Sequence, residues 1–177
     1  MLVDALDRIA PIAPIERTLV LTNASLATAI KQAVPALPRE NIIAEPRPAG
    51  TAAALGWAAK LVSDRAGRGA VIVSIHADWA IGDVDGFRAA LVAAADAAES
   101  EQALVTVGVV PVRPDTGLGY IEPGVVVRGD LRRVARFVEK PDMAKAQALV
   151  SAGCLWNSGI FAWRAGDILD EIASHCP

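Results

Sequence analysis

Four polar clusters in this sequence have residue types suited to a charged, oxygen-rich ligand: Gly50-Thr51-Ala52, Asp78, Glu139-Lys140 and Trp156-Asn157-Ser158-Gly159. Asp78 follows the apolar run Ala70 to Ile75. A carboxylate just past the carboxyl end of a buried strand can hold a hard divalent cation, and a turn or helix cap accounts for it equally well. Phe137-Val138-Glu139-Lys140-Pro141 closes an apolar strand with an acid beside a base. On an extended backbone neighbouring side chains face opposite sides, so Glu139 and Lys140 should each meet ligand or solvent rather than one another. A solvated strand end is the plainer account of both. Gly50-Thr51-Ala52 stands where a loop enters a helix, offering close backbone approach and free amides to a base or a phosphate, or simply a cap. Trp156-Asn157-Ser158-Gly159 reads as small polar groups near a ligand beside a packed tryptophan, or as an ordinary Asn-Ser-Gly turn.

The elements that must position these clusters alternate. Met1 to Ile9 carries apolar residues at helical spacing until Pro11 and Pro14. Thr18 to Thr22 is a β-branched run, followed by a helix over Leu26 to Val34 with Asn23 or Ser25 as its cap. Asn41 to Ala44 is a strand, Thr51 to Val62 a helix broken by Gly67 and Gly69, and Ala70 to Ile75 the clearest buried strand. Asp83 or Asp85 caps a helix to about Glu99, and Ala103 to Val110 returns as a strand. Such alternation predicts a parallel sheet with helices on both faces, since parallel strands need crossover connections. After Val110 the rhythm changes to short antiparallel segments, Gly119 to Ile121, Val125 to Val127 and Val134 to Val138, turned at Pro123-Gly124 and Gly129-Asp130. Asp142 caps a helix to about Val150, Ile160 to Trp163 is a strand, and Asp167 to Ser174 a last helix.

Composition narrows the function classes. The 177 residues are 53% hydrophobic and 21% charged, with 17 Lys+Arg against 20 Asp+Glu and a net charge of −3. Without a basic block there is no electrostatic footprint for nucleic acid or an anionic membrane. Mean hydropathy is high, +0.37, yet the longest apolar run, Ala89 to Ala95, is far short of the roughly 18 residues that span a bilayer. The apolar residues must therefore form a core. Two cysteines and two histidines lack disulfide-framework or zinc spacing, and a cytoplasmic location is expected. No Walker loop, dinucleotide fingerprint or nucleophile elbow is present in the sequence.

Taken in order, Glu45-Pro46, Gly50-Thr51-Ala52, Ala77-Asp78, Thr116-Gly117-Leu118-Gly119-Tyr120-Ile121, Phe137-Val138-Glu139-Lys140-Pro141 and Trp156-Asn157-Ser158-Gly159-Ile160-Phe161 resemble the motif set of the sugar-phosphate nucleotidyltransferases, most closely their mannose-1-phosphate guanylyltransferase branch. The resemblance implies an α/β fold: a Rossmann-like, mostly parallel sheet with flanking helices and a small antiparallel β section. It implies transfer of GMP from GTP to mannose 1-phosphate, giving GDP-mannose and pyrophosphate. It also implies small-molecule partners only, Mg²⁺ or a similar cation as cofactor, and a homo-oligomer as an open expectation. By residue, Asp78 matches the family's metal-binding aspartate and Lys140 the lysine that contacts the sugar phosphate. Glu139 and Asn157 match residues bonded to sugar hydroxyls, and Gly119 a backbone contact to the sugar. Gly50, Thr51 and Ala52 match the segment against the base. Guanine presents adjacent N–H donors that a carboxylate accepts in pairs, which makes Glu45 the candidate acceptor, or else only a solvated strand end.

Two stretches depart from the family pattern: His76-Ala77-Asp78-Trp79 replaces P-A-D-H, and Ala49-Gly50-Thr51-Ala52-Ala53 replaces R-N-T-A-P. The family's opening strand and G-G-x-G-x-R-L-x-P-L loop would precede Met1, and its second metal-binding aspartate would follow Pro177. The expectation is one catalytic domain over 1–177, incomplete at both ends. Alternative expectations are a transferase for another sugar 1-phosphate or nucleotide, and a noncatalytic relative that binds sugar nucleotides.

Overall fold

A computed structural model describes residues 1–47 and 50–176; Ala49 of the loop ahead of Gly50 lies outside them. The architecture is α/β with mixed strand directions, and the chain divides into two compact units, Met1–Val105 with Ala162–Pro177, and Thr106–Phe161.

The first unit opens with α1 (Leu2–Ile9), then β1 (Val20–Asn23) and α2 (Ala24–Ala33). Asn23 is the cap of α2: its Oδ1 accepts the Leu26 N–H at 3.1 Å, and the Ser25 hydroxyl donates to the same oxygen at 2.6 Å. Parallel to β1 lies β2 (Ile42–Glu45), in the register Val20↔Ile42 to Asn23↔Glu45, so both strands end at the same edge. Buried Asn41 anchors the entry to β2 by donating to the Glu16 carbonyl (2.9 Å) while its Oδ1 accepts from Arg65 (2.8 Å). The helix α3 (Thr51–Ala66) runs past the expected Val62 and stops at Gly67, whose φ of +87° suits glycine. Next come β3 (Val71–Ser74) and α4 (Val84–Glu101). Asp83, not Asp85, caps α4 through the Gly86 N–H at 2.9 Å. The strand β3, which reads as the clearest buried strand, is half-buried throughout. An open apolar depression lined by Ile9, Ile12, Val73, Ile75, Leu91 and Val92 leaves that side of it partly uncovered. Closing the unit, α6 (Ala165–His175) packs on α3, where a Cβ at Gly56 would come within 2.7 Å of Ile172 Cδ1.

The second unit is built on β4 (Val105–Val109, from Thr106), β5 (Tyr120–Arg128), β6 (Leu131–Val138), α5 (Met143–Ser151) and β7 (Leu155–Arg164, to Phe161). β5 lies between β6 and β7 and is antiparallel to both, and β4 pairs with β7. Two sequence expectations are corrected here. Pro123-Gly124 is not a turn but an irregular stretch inside a single strand, with register shifts on both sides of Pro123; a bulge accommodates a residue that lacks an N–H. Gly129-Asp130 is the turn, between β5 and β6. Trp156-Asn157-Ser158-Gly159 also lies within a strand, β7. Its polar groups are satisfied in place: Ser158 Oγ donates to the Val107 carbonyl (2.6 Å) and accepts the Ile160 N–H (3.0 Å), so Ser158 can be buried.

Tyr120, Ala146, Leu149 and Cys154 form the core of this unit, with Val138, Val150 and Trp156 packed on it. Asp142 caps α5 by accepting the Lys145 N–H at 2.8 Å. The Tyr120 ring is fully buried, and its hydroxyl accepts the Asp115 N–H (2.8 Å) and donates to the Asp115 carbonyl (3.0 Å). That hydroxyl ties the loop ahead of β5 to the core.

Candidate active site

Five of the sequence-predicted site residues lie in the first unit, all at strand or helix ends. Glu45 is the last residue of β2, half-buried and opposite Asn23. Gly50 precedes α3 at a φ of +87°, with open space where a Cβ would stand. Exposed Thr51 and Ala52 begin α3, whose N-terminus has no side-chain cap. The first amides of a helix without such a cap are free donors at its positive end. Asp78 lies in the bend after β3, exposed and without a hydrogen-bond or ion-pair partner among the described residues. The rings of His76 and Trp79 stack beside it at 5.8 Å.

The remaining four, Gly119, Glu139, Lys140 and Asn157, belong to the second unit, which brings them together. The cause is strand register. Tyr120 on β5 stands opposite Val138 on β6 and opposite Trp156 on β7, so the residues one step beyond these pairs, Gly119, Glu139 and Asn157, become neighbours. The Gly119 carbonyl accepts the Asn157 N–H at 2.8 Å, and a Cβ on Gly119 would come within 2.8 Å of Glu139 Oε2. No side chain larger than hydrogen fits there without displacing the carboxylate.

Glu139 and Lys140 differ from the expectation of independent side chains: Lys140 Nζ lies 3.5 Å from Glu139 Oε1. The alternation of an extended strand does not extend to Lys140, which takes a φ of +41°. That turn of the backbone swings the ammonium towards its neighbour. Both side chains stay mostly exposed, 65% and 58%, so the pair contributes little stability and both charges remain accessible to a ligand.

Asn157 is held more closely. Its Oδ1 accepts from Thr106 Oγ1 on β4 at 3.0 Å and from the Gly159 N–H at 3.3 Å. The Arg113 guanidinium lies over the Trp156 ring at 5.6 Å and pairs with Asp115 at 2.9 Å, and Asp115 Oδ1 accepts the Gly117 N–H at 2.9 Å. The sequence reading did not single out Thr106, Arg113 or Asp115. A threonine between two valines of an apolar strand was the available signal for Thr106.

Among the described residues no three His, Cys, Asp or Glu side chains converge to hold a metal. Asp78 is a single exposed carboxylate, and a hard cation that keeps most of its water, such as Mg²⁺, can be held through one or two carboxylates. No helix among the described residues is long and apolar enough to cross a membrane.

The fold is of the α/β class, in which ligands bind beyond the ends of the strands; groups without a partner among the described residues lie past strand ends in one unit, and an acid, a base and an amide gather at one strand end in the other. The nucleotidyl transferase family model matches residues 2–177, and the chain belongs to that family. It is 43% identical over 138 residues to the mannose-1-phosphate guanylyltransferase of Sinorhizobium fredii, covering 77% of this chain and 27% of the relative. It is 42% identical over 144 residues to the mannose-1-phosphate guanylyltransferase of Escherichia coli, covering 78% and 30%. The chain thus spans less than a third of these curated relatives. Among solved structures, one from Thermus thermophilus, described as a mannose-1-phosphate geranyltransferase, superimposes with a TM-score of 0.88 at 31% identity, covering 98% of this chain and 50% of that one. One from Helicobacter pylori, described as a mannose-6-phosphate isomerase, gives 0.83 at 27% identity over 99% of this chain and 66% of that one.

Proposed function

We propose that the protein transfers GMP from GTP to mannose 1-phosphate, giving GDP-mannose and pyrophosphate. The observation that carries the reading is the meeting of Gly119, Glu139, Lys140 and Asn157 around one strand register, since an acceptor, a cation, an amide and an open backbone edge are the groups a sugar phosphate needs. Relatives named mannose-1-phosphate guanylyltransferase support this choice of sugar and nucleotide.

In this reaction a phosphate oxygen of mannose 1-phosphate attacks the α-phosphorus of GTP, a new P–O bond forms, and the bond to the β-phosphate oxygen breaks to release pyrophosphate. No protein nucleophile is required. Catalysis consists of positioning and of neutralising the charges that the two phosphates bring together. Lys140 binds the sugar phosphate, where its ammonium exchanges part of its interaction with Glu139 for the phosphate oxygens. Glu139 accepts from sugar hydroxyls and Asn157 donates to a sugar hydroxyl oxygen. The free amides at Gly50, Thr51 and Ala52 lie against the nucleotide, and Glu45 accepts the paired donors of guanine. Asp78 would hold Mg²⁺, which when bound supplies neutralisation of the triphosphate charge. Two free cysteines, one buried and one exposed, suit a reducing cytoplasm.

The test is a competition assay on the intact protein with GTP, UTP, dTTP and ATP at equal concentration and mannose 1-phosphate as acceptor. GDP-mannose should dominate, and only with a divalent cation present. A preference for UTP or dTTP would overturn the guanine assignment while leaving nucleotidyl transfer in place.

A further inference from the structure

We propose that Thr106 is a positioning residue that fixes the Asn157 carboxamide as a hydrogen-bond donor towards the sugar phosphate. The inference rests on the reading above in which Asn157 meets that ligand.

A carboxamide has an accepting end and a donating end, and its neighbours decide which one faces the ligand. Two donors address Asn157 Oδ1, the Gly159 N–H at 3.3 Å and the Thr106 hydroxyl at 3.0 Å. The Gly159 amide is always a donor, so turning the carboxamide over would set its NH₂ against another N–H. Thr106 reinforces this choice. Its hydroxyl has one proton and two oxygens within reach, Asn157 Oδ1 at 3.0 Å and the Ile160 carbonyl at 3.3 Å. Two oxygens 3.0 Å apart repel unless a proton lies between them, so the proton belongs on the shorter contact. Asn157 Nδ2 is left without a hydrogen-bond partner among the described residues. The ligand atom that meets Asn157 must therefore accept, as a sugar hydroxyl or phosphate oxygen does and a protonated amino group does not.

The side chain of Thr106 touches no ligand in this account and acts through Asn157. Its loss should leave the strands in place, because Ser158 separately joins β7 to the Val107 carbonyl on β4.

The experiment measures GDP-mannose and GDP affinities of the intact protein by titration calorimetry, with the melting temperature of each variant. Thr106→Val keeps the shape and removes the proton; one neutral hydrogen bond predicts about a fivefold to tenfold weaker GDP-mannose affinity, with GDP affinity and melting temperature unchanged. Thr106→Ser should restore GDP-mannose binding. Asn157→Asp retains the Thr106 bond but has no donor, so it should lose affinity as Asn157→Ala does. Unchanged GDP-mannose affinity in Thr106→Val, equal loss for GDP and GDP-mannose, or no recovery in Thr106→Ser overturns the role of Thr106. Should Thr106→Val fail to fold, retained affinity in Asn157→Asp overturns the donor assignment. If Asn157→Ala itself binds GDP-mannose normally, or the wild-type protein does not bind it, the sugar-phosphate reading of Asn157 fails instead.

Discussion

Gly119 and Glu139 meet across the β5–β6 pair so closely that a Cβ on Gly119 would stand 2.8 Å from Glu139 Oε2 and 2.7 Å from Phe137 Cζ. The carboxylate is thereby held against bare backbone. Gly119→Ala must push both side chains aside, and both have room, since Phe137 is 48% exposed and Glu139 is mostly exposed. The expected cost in stability is therefore at the low end of overpacking, about 1 kcal/mol. Sugar-phosphate handling should suffer more, because Glu139 is displaced. Thermal melting together with KM for mannose 1-phosphate checks this: a small fall in Tm with a large rise in that KM is expected, and KM for GTP should stay as it was.

Lys140 separates stability from function. Its φ of +41° is a conformation that side-chain-bearing residues seldom adopt, so Lys140→Gly should be neutral or stabilising by up to about 1 kcal/mol. Removing the ammonium should nevertheless cost about 1.5–3 kcal/mol of charge-assisted bonding to the phosphate, roughly tenfold to a hundredfold in kcat/KM for mannose 1-phosphate. Lys140→Arg should not recover it fully, since a planar fork does not replace a compact ammonium. Chemical denaturation beside steady-state kinetics reads both effects, and an unaltered kcat/KM in Lys140→Gly would return Lys140 to the solvated surface.

Asp78 is exposed and without a partner among the described residues, so Asp78→Asn should change stability by less than about 0.5 kcal/mol. If it holds the cation, activity should fall by several kcal/mol of transition-state stabilisation, a factor of about a hundred or more. Raising Mg²⁺ should recover part of the loss. A magnesium titration of the variant provides the check, and an unchanged Mg²⁺ dependence would remove Asp78 from the metal site.

Burial pushes the Cys154 thiol up from its ordinary pKa, with the nearby Glu122 carboxylate adding to the effect and Arg136 opposing it. The folded protein therefore keeps this proton after the unfolded chain has lost it. The resulting stability is complete below the ordinary thiol range and is lost as pH rises through the raised value. Two outcomes are expected: denaturation midpoints that decline at alkaline pH less steeply in Cys154→Ser, and native alkylation at about pH 8 confined to exposed Cys176. Thiol titration before and after unfolding should count one and then two.

Local chemistry was readable in the residues themselves. Asn23, Asp83 and Asp142 cap helices because a short acceptor side chain reaches the amide three residues ahead. Gly67 ends α3 because its own backbone permits a positive φ. The residues proposed to meet the sugar phosphate were equally visible as motifs, each confined to a few neighbouring positions. What tertiary structure decided is how those motifs meet and what each side chain faces. Pro123-Gly124 and Trp156-Asn157-Ser158-Gly159 have turn composition, yet a bulge and the bonds of Ser158 to a neighbouring strand keep them within β5 and β7. Glu139 and Lys140 pair because the backbone leaves the extended form at Lys140, a change no alternation pattern reveals. Gly119, Glu139 and Asn157 come together because buried Tyr120 sets β5 in register with both β6 and β7. Caps and turns depend on atoms a few residues apart, whereas register depends on which side chains share a core, and only the folded chain determines that.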